Sequence, residues 1–141
     1  MSFVLDASVA MLWLVPQSNP SGVNYASAVL AALKDTSATV PSLWTLEVAN
    51  VTAKVEAKGS VTQAQSQFFI ALIERLDLAT DHATAANALG ETLNLARQYT
   101  LSVYDAAYLE LALRMGLPLA TLDADMAKAA KKAGVPAFKP N

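Results

Sequence analysis

The chain of 141 residues contains no cysteine and one histidine, His82. Without cysteine there is no disulfide framework, no thiolate metal site and no thiol nucleophile. His82 stands between Asp81 and Ala83 with no evident partner, which marks it as a surface or interface residue rather than a ligand. Long apolar runs are also missing. The longest, residues 9–15, falls far short of the roughly 18 residues a spanning helix needs. It follows an acid and lacks a basic leader, which argues against a signal peptide and for a cytoplasmic protein with no membrane partner. Nor is there an excess of one charge: ten Lys and Arg face twelve Asp and Glu, a net charge of −2. On its face that balance argues against a nucleic-acid binder.

What the chain has in abundance is apolar side chains, at 54%, above the usual range for a soluble domain. The excess suits a compact helical core, or apolar helix faces kept for another chain. The length suits a single domain, residues 1–141, able to bury a proper core. No repeat, linker or low-complexity tract divides it.

Short apolar runs alternate with helix-like stretches. Phe3, Val4 and Leu5 lack polar alternation and read as a strand covered on both faces. A helix-compatible pattern follows over 7–14, then a turn-rich break over 16–22. Helical spacing returns over 23–33, and Thr39–Val40 before Pro41 reads as a second strand. Ser42 is placed to cap a helix over 43–58, and Ser60 or Thr62 to open another over 63–75. A strand over 76–79 precedes a helix over 83–98 in which Gly90 is a weak point. A helix running to Met115 stops at Gly116. A strand over 117–122, a helix over 124–133 and a last short strand over 135–138 complete the chain. This alternation predicts an α/β fold with a mainly parallel central sheet of about five short strands, flanked by helices on both faces.

Acids recur in a shared local context. Asp6 ends the first strand and Asp123 follows the apolar run ending at Leu122, so both sit where open α/β sheets bind ligands. Each could instead cap the helix that follows, as could Ser8. Asp125 could share or replace the role of Asp123. Glu47 lies at four-residue multiples from Leu43, Val51 and Val55, on the apolar stripe of its helix. A carboxylate facing a packed interior needs a partner or a metal. Asp105 has Tyr108 and Leu109 as its i+3 and i+4 neighbours. Ser102-Val103-Tyr104-Asp105 also resembles a capping box. Glu110 falls on another face and reads as solvated. Ser8 and Thr121 are small hydroxyls suited to orienting a ligand or a water.

Two ionised carboxylates about 5 Å apart repel by roughly 3 kcal/mol at an effective dielectric near 20. Several in one pocket therefore call for a divalent cation. With only carboxylates, hydroxyls and water on offer, Mg²⁺ or Mn²⁺ is the expected ion. Such a site suits phosphoryl chemistry better than acyl transfer. Setting Asp6, Glu47, Asp105 and Asp123 aside leaves eight acids against ten bases, an outer surface of +2. Lys128, Lys131, Lys132 and Lys139 form a modest basic edge that otherwise reads as a solvated helix face.

The stretches Val4-Leu5-Asp6-Ala7-Ser8, Leu46-Glu47-Val48-Ala49-Asn50, Tyr104-Asp105-Ala106-Ala107-Tyr108-Leu109 and Ala120-Thr121-Leu122-Asp123 resemble those of PIN-domain nucleases, specifically VapC-like toxins of toxin–antitoxin pairs. The resemblance extends over nearly the whole chain. It implies a Mg²⁺- or Mn²⁺-dependent endoribonuclease with Asp6, Glu47, Asp105 and Asp123 as metal-binding acids. A metal-activated water would cut an RNA phosphodiester, leaving 5′-phosphate and 3′-hydroxyl ends. It further implies a homodimer, a cognate antitoxin that blocks the site, and transfer or ribosomal RNA as substrate. The apolar excess points to a partner groove around Trp44 and Phe68. Two rival enzyme classes fit less well. A haloacid-dehalogenase-like phosphatase would need a general acid where Ser8 stands, and a receiver-like phospho-acceptor would need paired acids where Asp6-Ala7 stands. A catalytically silent PIN fold acting as a binding module is the remaining alternative.

Overall fold

β1 (Phe3–Leu5) is buried at every residue and lies inside a four-stranded, all-parallel sheet. The computed structural model describes residues 2–141. After β1 come α1 (Ala7–Ala10), α2 (Val23–Ala32), β2 (Ala38–Pro41), α3 (Trp44–Ala57), α4 (Gln63–Glu74) and β3 (Leu78–Asp81). Then follow α5 (Thr84–Asn87), α6 (Leu93–Tyr99), α7 (Val103–Met115), β4 (Leu119–Ala120) and α8 (Ala124–Ala133). The strand order is β3-β2-β1-β4. β1 pairs Phe3 with Ala38 and Val4 with Thr39 on one side, and Val4 with Leu119 and Leu5 with Ala120 on the other. The expected fifth strand, 135–138, is reduced to an isolated parallel bridge between Leu119 and Ala137. Stacking of the Phe138 ring on Phe3, with centroids 3.9 Å apart, holds it there.

α7 is the structural axis. Its residues Ala106 to Ala112 are all buried, and it packs on β1, β2, α6 and α8. A helix apolar around most of its circumference belongs inside a fold, not on its surface. Its one buried acid is Glu110, only 4% exposed, which corrects the expectation of a solvated residue. Arg114, one turn on, donates from Nε to Glu110 Oε2 at 2.7 Å. It also forks onto Asp81 at the end of β3, at 2.6 and 3.2 Å. The edge strand is thereby tied to the central helix.

Other departures are local. Ser42 does not cap α3. The N-cap is Leu43, without a side-chain bond, and the Ser42 N–H donates instead to Thr84 Oγ1 at 3.0 Å. Thr62, not Ser60, opens α4 through a full capping box with Gln65. The run 117–122 forms only the two residues of β4, because Pro118 has no N–H to pair and the Thr121 and Asp123 groups turn into other contacts. Trp44 is 2% exposed and belongs to the core, whereas Phe68 is 80% exposed. The groove expected around that pair therefore loses one wall.

Gly90 sits in a π-helical turn, Ala88–Thr92, joining α5 to α6. A Cβ added there would meet nothing within 4 Å, and its backbone is not in the left-handed region. Gly90→Ala should therefore stabilise the protein by about 0.5–1 kcal/mol, through a less flexible unfolded chain and better helix propensity. Thermal unfolding should shift up by roughly 2–3 °C. A lower melting temperature would mean that the wide turn itself requires glycine.

Candidate active site

The carboxyl ends of β1 and β4 diverge into α1 and α8, and strand order changes direction between them, the position at which open α/β sheets form their crevice. Asp6 leaves β1 here, 5% exposed. Its side chain does not cap α1. Instead Ser8 Oγ and Thr121 Oγ1 both donate to the same oxygen, Oδ2, at 2.6 and 2.7 Å. The Ser8 hydroxyl also accepts from the Leu122 N–H, and the Thr121 hydroxyl from the Asp123 N–H, each at 3.0 Å. Two hydroxyls thus stitch the loop after β4 to the loop after β1 and fix the Asp6 carboxylate between them.

Asp123 is the N-cap of α8, its Oδ1 accepting from the Met126 N–H at 2.8 Å. Asp105 lies in the first turn of α7, and its N–H donates to Ser102 Oγ at 3.0 Å. Glu47 lies in the first turn of α3, half-buried, with the Tyr108 hydroxyl donating to its Oε1. Each of the four acids therefore stands at the N-terminal end of a helix, where exposed amides favour negative charge. Asp125 is exposed on the first turn of α8.

These groups act on one another. Burial pushes the Asp6 carboxyl up from its ordinary range, the Ser8 and Thr121 hydroxyls pull it back, and the Asp105 and Asp123 charges push it up further. The net direction is upward. Glu47 is also raised, by burial first and then by Asp6 and Asp105, against the Tyr108 hydrogen bond. Asp105 is raised by burial, by Asp123 and more weakly by Asp125, with Ser102 opposing. Asp6, Glu47, Asp105 and Asp123 thus share one electrostatic neighbourhood, with Asp125 at its margin.

Among the described residues, no group of three or more acidic or histidine side chains closes around one point to hold a metal ion as it stands. The donor chemistry nonetheless fits a hard divalent cation, since every available ligand is an oxygen and the acids raise each other's affinity for positive charge. His82, exposed on the loop after β3, takes no part.

Tyr108 is the contributor that sequence reasoning placed only as a packing neighbour. The available signal was a tyrosine rather than phenylalanine on a packed face, since a buried hydroxyl requires a partner. Burial, and the charges of Asp6 and Glu47, push the phenol well above its usual range, so it remains a donor to Glu47. Tyr108→Phe should weaken divalent-cation binding by roughly 10-fold, as loss of groups that orient ligating carboxylates does. Titration calorimetry with Mn²⁺ checks this, and unchanged affinity would make the contact purely structural.

Comparison with known proteins agrees with this architecture. The chain matches the model for the PIN domain over residues 3–132. No curated protein sequence matches it. Among solved structures it is similar to PAE2754 from Pyrobaculum aerophilum, at 20% identity and a TM-score of 0.67. That match covers 92% of this chain and 79% of the other. It is also similar to VapBC2 from Rickettsia felis, crystallised with a DNA fragment from their promoter, at 18% identity and a TM-score of 0.61. There the coverage is 91% of this chain and 92% of the other. Among the described residues no helix is long and apolar enough to cross a membrane. With 130 of its residues spanned by the family model, this chain belongs to the PIN-domain family.

Proposed function

We propose that the protein is a Mg²⁺- or Mn²⁺-dependent endoribonuclease, the toxin component of a toxin–antitoxin pair. Asp6, Glu47, Asp105 and Asp123 would hold the metal. The observation that carries this reading is the shared neighbourhood of these acids at the helix starts beside β1 and β4: burial first, and neighbouring carboxylate charge after it, raise three of them. A fold gains nothing from such an arrangement unless a cation or a proton relieves it. When bound, the ion supplies a more acidic water and neutralises charge on a phosphoryl oxygen.

The chain's own residues have separate tasks in this scheme. Ser8 and Thr121 hold the Asp6 carboxylate in one orientation, and Tyr108 does the same for Glu47. Asp105 and Asp123 are positioned by the first turns of α7 and α8. Asp125 lies close enough to bias Asp105 but is exposed, so Asp123 is the better fourth ligand. The substrate is an RNA, with transfer or ribosomal RNA expected from the resemblance to VapC toxins. A homodimer, a cytoplasmic location and inhibition by a cognate antitoxin belong to the same reading. Leu46 on α3 and Phe68 on α4 support a protein partner: these helices pack on each other, and the two side chains are 75% and 80% exposed.

One observation favours a silent binding module instead. Asp123 already serves a backbone amide as a helix cap, so its presence does not by itself require metal. Incubating purified, antitoxin-free protein with total RNA in Mg²⁺, Mn²⁺ or EDTA separates the two. Discrete fragments that depend on metal are the expected result. Intact RNA across all three conditions, together with retained RNA binding, would favour the silent fold.

A further inference from the structure

β4 ends the sheet, and the strand expected beside it is reduced to the bridge between Leu119 and Ala137. At this incomplete edge lies a cavity of about 1050 Å³, walled by β4, α8 and the last residues of the chain. α8 lines it with Ala127 and Ala130, where longer side chains would occupy the space. Leu119, Val135 and Phe138 continue the apolar wall. Phe138 is anchored twice. Its ring stacks on Phe3 at 3.9 Å, and its carbonyl accepts from the Tyr25 hydroxyl at 2.7 Å. A wall fixed through both ring and backbone gives the cavity a pre-formed shape, as small-molecule sites have.

Two cations stand on this apolar lining: Lys131 from α8 and Lys139 from the tail, both exposed. Among the described residues neither takes part in an ion pair, and no acid lines the cavity. On the other flank of α8, by contrast, Lys128 and Lys132 share their cavity with Asp125. Pockets for small ligands occupy roughly 300–1,000 Å³ and pair a mostly apolar lining with a few polar groups that fix orientation. Here the apolar wall favours a hydrocarbon leaving water, and the lysines match one anionic head at the rim.

The cavity also reaches the supports of the active site, because Thr121 and Leu122 line it. The Thr121 hydroxyl donates to Asp6 and accepts from the Asp123 N–H, while the Leu122 N–H donates to Ser8. A molecule resting on these two residues bears on the loop that orients Asp6.

We propose that this cavity binds a small amphipathic anion, a hydrocarbon body carrying one carboxylate, with Lys131 and Lys139 at its head and the α8 alanines along its body. The site is separate from the acid cluster and is joined to it through Thr121 and Leu122. It requires neither metal nor RNA cleavage, so it stands or falls apart from the nuclease reading.

The probe is octanoate, titrated into the full chain in EDTA at low salt and followed by the backbone amide signals in NMR. Ala127, Ala130 and Ala137 should shift saturably, with a common dissociation constant of about 1 mM or lower. The Leu122 and Asp123 amides, which hold Ser8 and Thr121, should move with the same constant. Octanol, which lacks the charge, should bind roughly tenfold more weakly, as loss of a charge-assisted contact predicts. Lys131→Ala with Lys139→Ala should bring octanoate down to the level of octanol and leave octanol unchanged. Ala127→Trp, at an exposed position of α8, should abolish both. Leu46→Ala with Phe68→Ala, on exposed apolar surface elsewhere, should change neither.

Absence of saturable shifts would overturn the site. Equal affinity for octanol, indifference to the lysine pair, or dependence on Leu46 and Phe68 would do the same. Unmoved Leu122 and Asp123 signals would overturn the connection to Asp6. A dimer that Ala127→Trp dissociates, with no octanoate bound, would make the cavity an interface between copies and remove the proposal.

Discussion

Asp6→Asn is expected to lower metal-dependent RNA cleavage by about a thousandfold or more, equivalent to some 4 kcal/mol of transition-state stabilisation. The substitution is nearly isosteric. The remaining amide oxygen can still accept from Ser8 and Thr121, whose hydroxyls now converge on one carboxylate oxygen. What disappears is the charge. Because burial and the neighbouring Asp105 and Asp123 disfavour that charge in the folded protein, its removal should not destabilise the metal-free chain. A melting temperature in EDTA equal to or a few degrees above that of the parent is the expected companion result. Activity lost together with folding would have a structural explanation, and activity retained in a folded variant would remove Asp6 from the site.

The largest expected effect on stability comes from Arg114→Ala. Arg114 is 31% exposed, but the two carboxylates it serves are much less so: Asp81 at 11% and Glu110 at 4%. Truncating the guanidinium leaves Glu110 charged, buried and without its partner, the costly way to break an ion pair. A loss of about 3 kcal/mol is expected, at the low end for buried pairs because Arg114 itself reaches water. The melting temperature should fall by roughly 10 °C. Arg114→Lys should recover only part of this, since one ammonium cannot fork onto Asp81 while also serving Glu110.

The same network has a pH signature. Hydrogen bonding and charge from Arg114 hold the Asp81 carboxyl below its ordinary range, and burial only partly opposes them. An acid whose folded-state pKa is depressed contributes stability above its unfolded value, near 3.9, and loses it as pH falls through the folded value. The parent should therefore lose stability below about pH 4 from this source, and Arg114→Ala should show a shallower loss there. Chemical denaturation across that range would decide it, and identical pH profiles would exclude a contribution from Asp81.

The strand-then-acid pattern at Asp6 was legible because its parts are contiguous: three apolar residues, an acid, then helical spacing. Gly90 was legible as a weak point for the same reason, and the structure widens the helix there into a π turn. Contacts distant in sequence left no such trace. Tyr108 and Glu47 are 61 residues apart, and Arg114 and Asp81 are 33 apart. Helical periodicity cannot name partners across those intervals. Glu110 was misplaced because face-counting assumes a helix with one wet side, and α7 is enclosed by strands and helices over its middle turns. The length of β4 was overread because an apolar run does not distinguish a residue that pairs from one that merely follows, as Thr121 and Leu122 do. Trp44 and Phe68 differ similarly: both are large and aromatic, and only the packing of α3 and α4 decides which is covered.

The position of all four acids at helix starts has an evolutionary corollary. Asparagine is as good as aspartate at a helix N-cap. A single Asp→Asn change at Asp123, whose side chain caps α8, would therefore extinguish the proposed chemistry while leaving the local backbone supported. Loss of the reaction need not entail loss of the domain. A PIN domain built this way has an open route to descendants that keep its surfaces and partners after the reaction has gone.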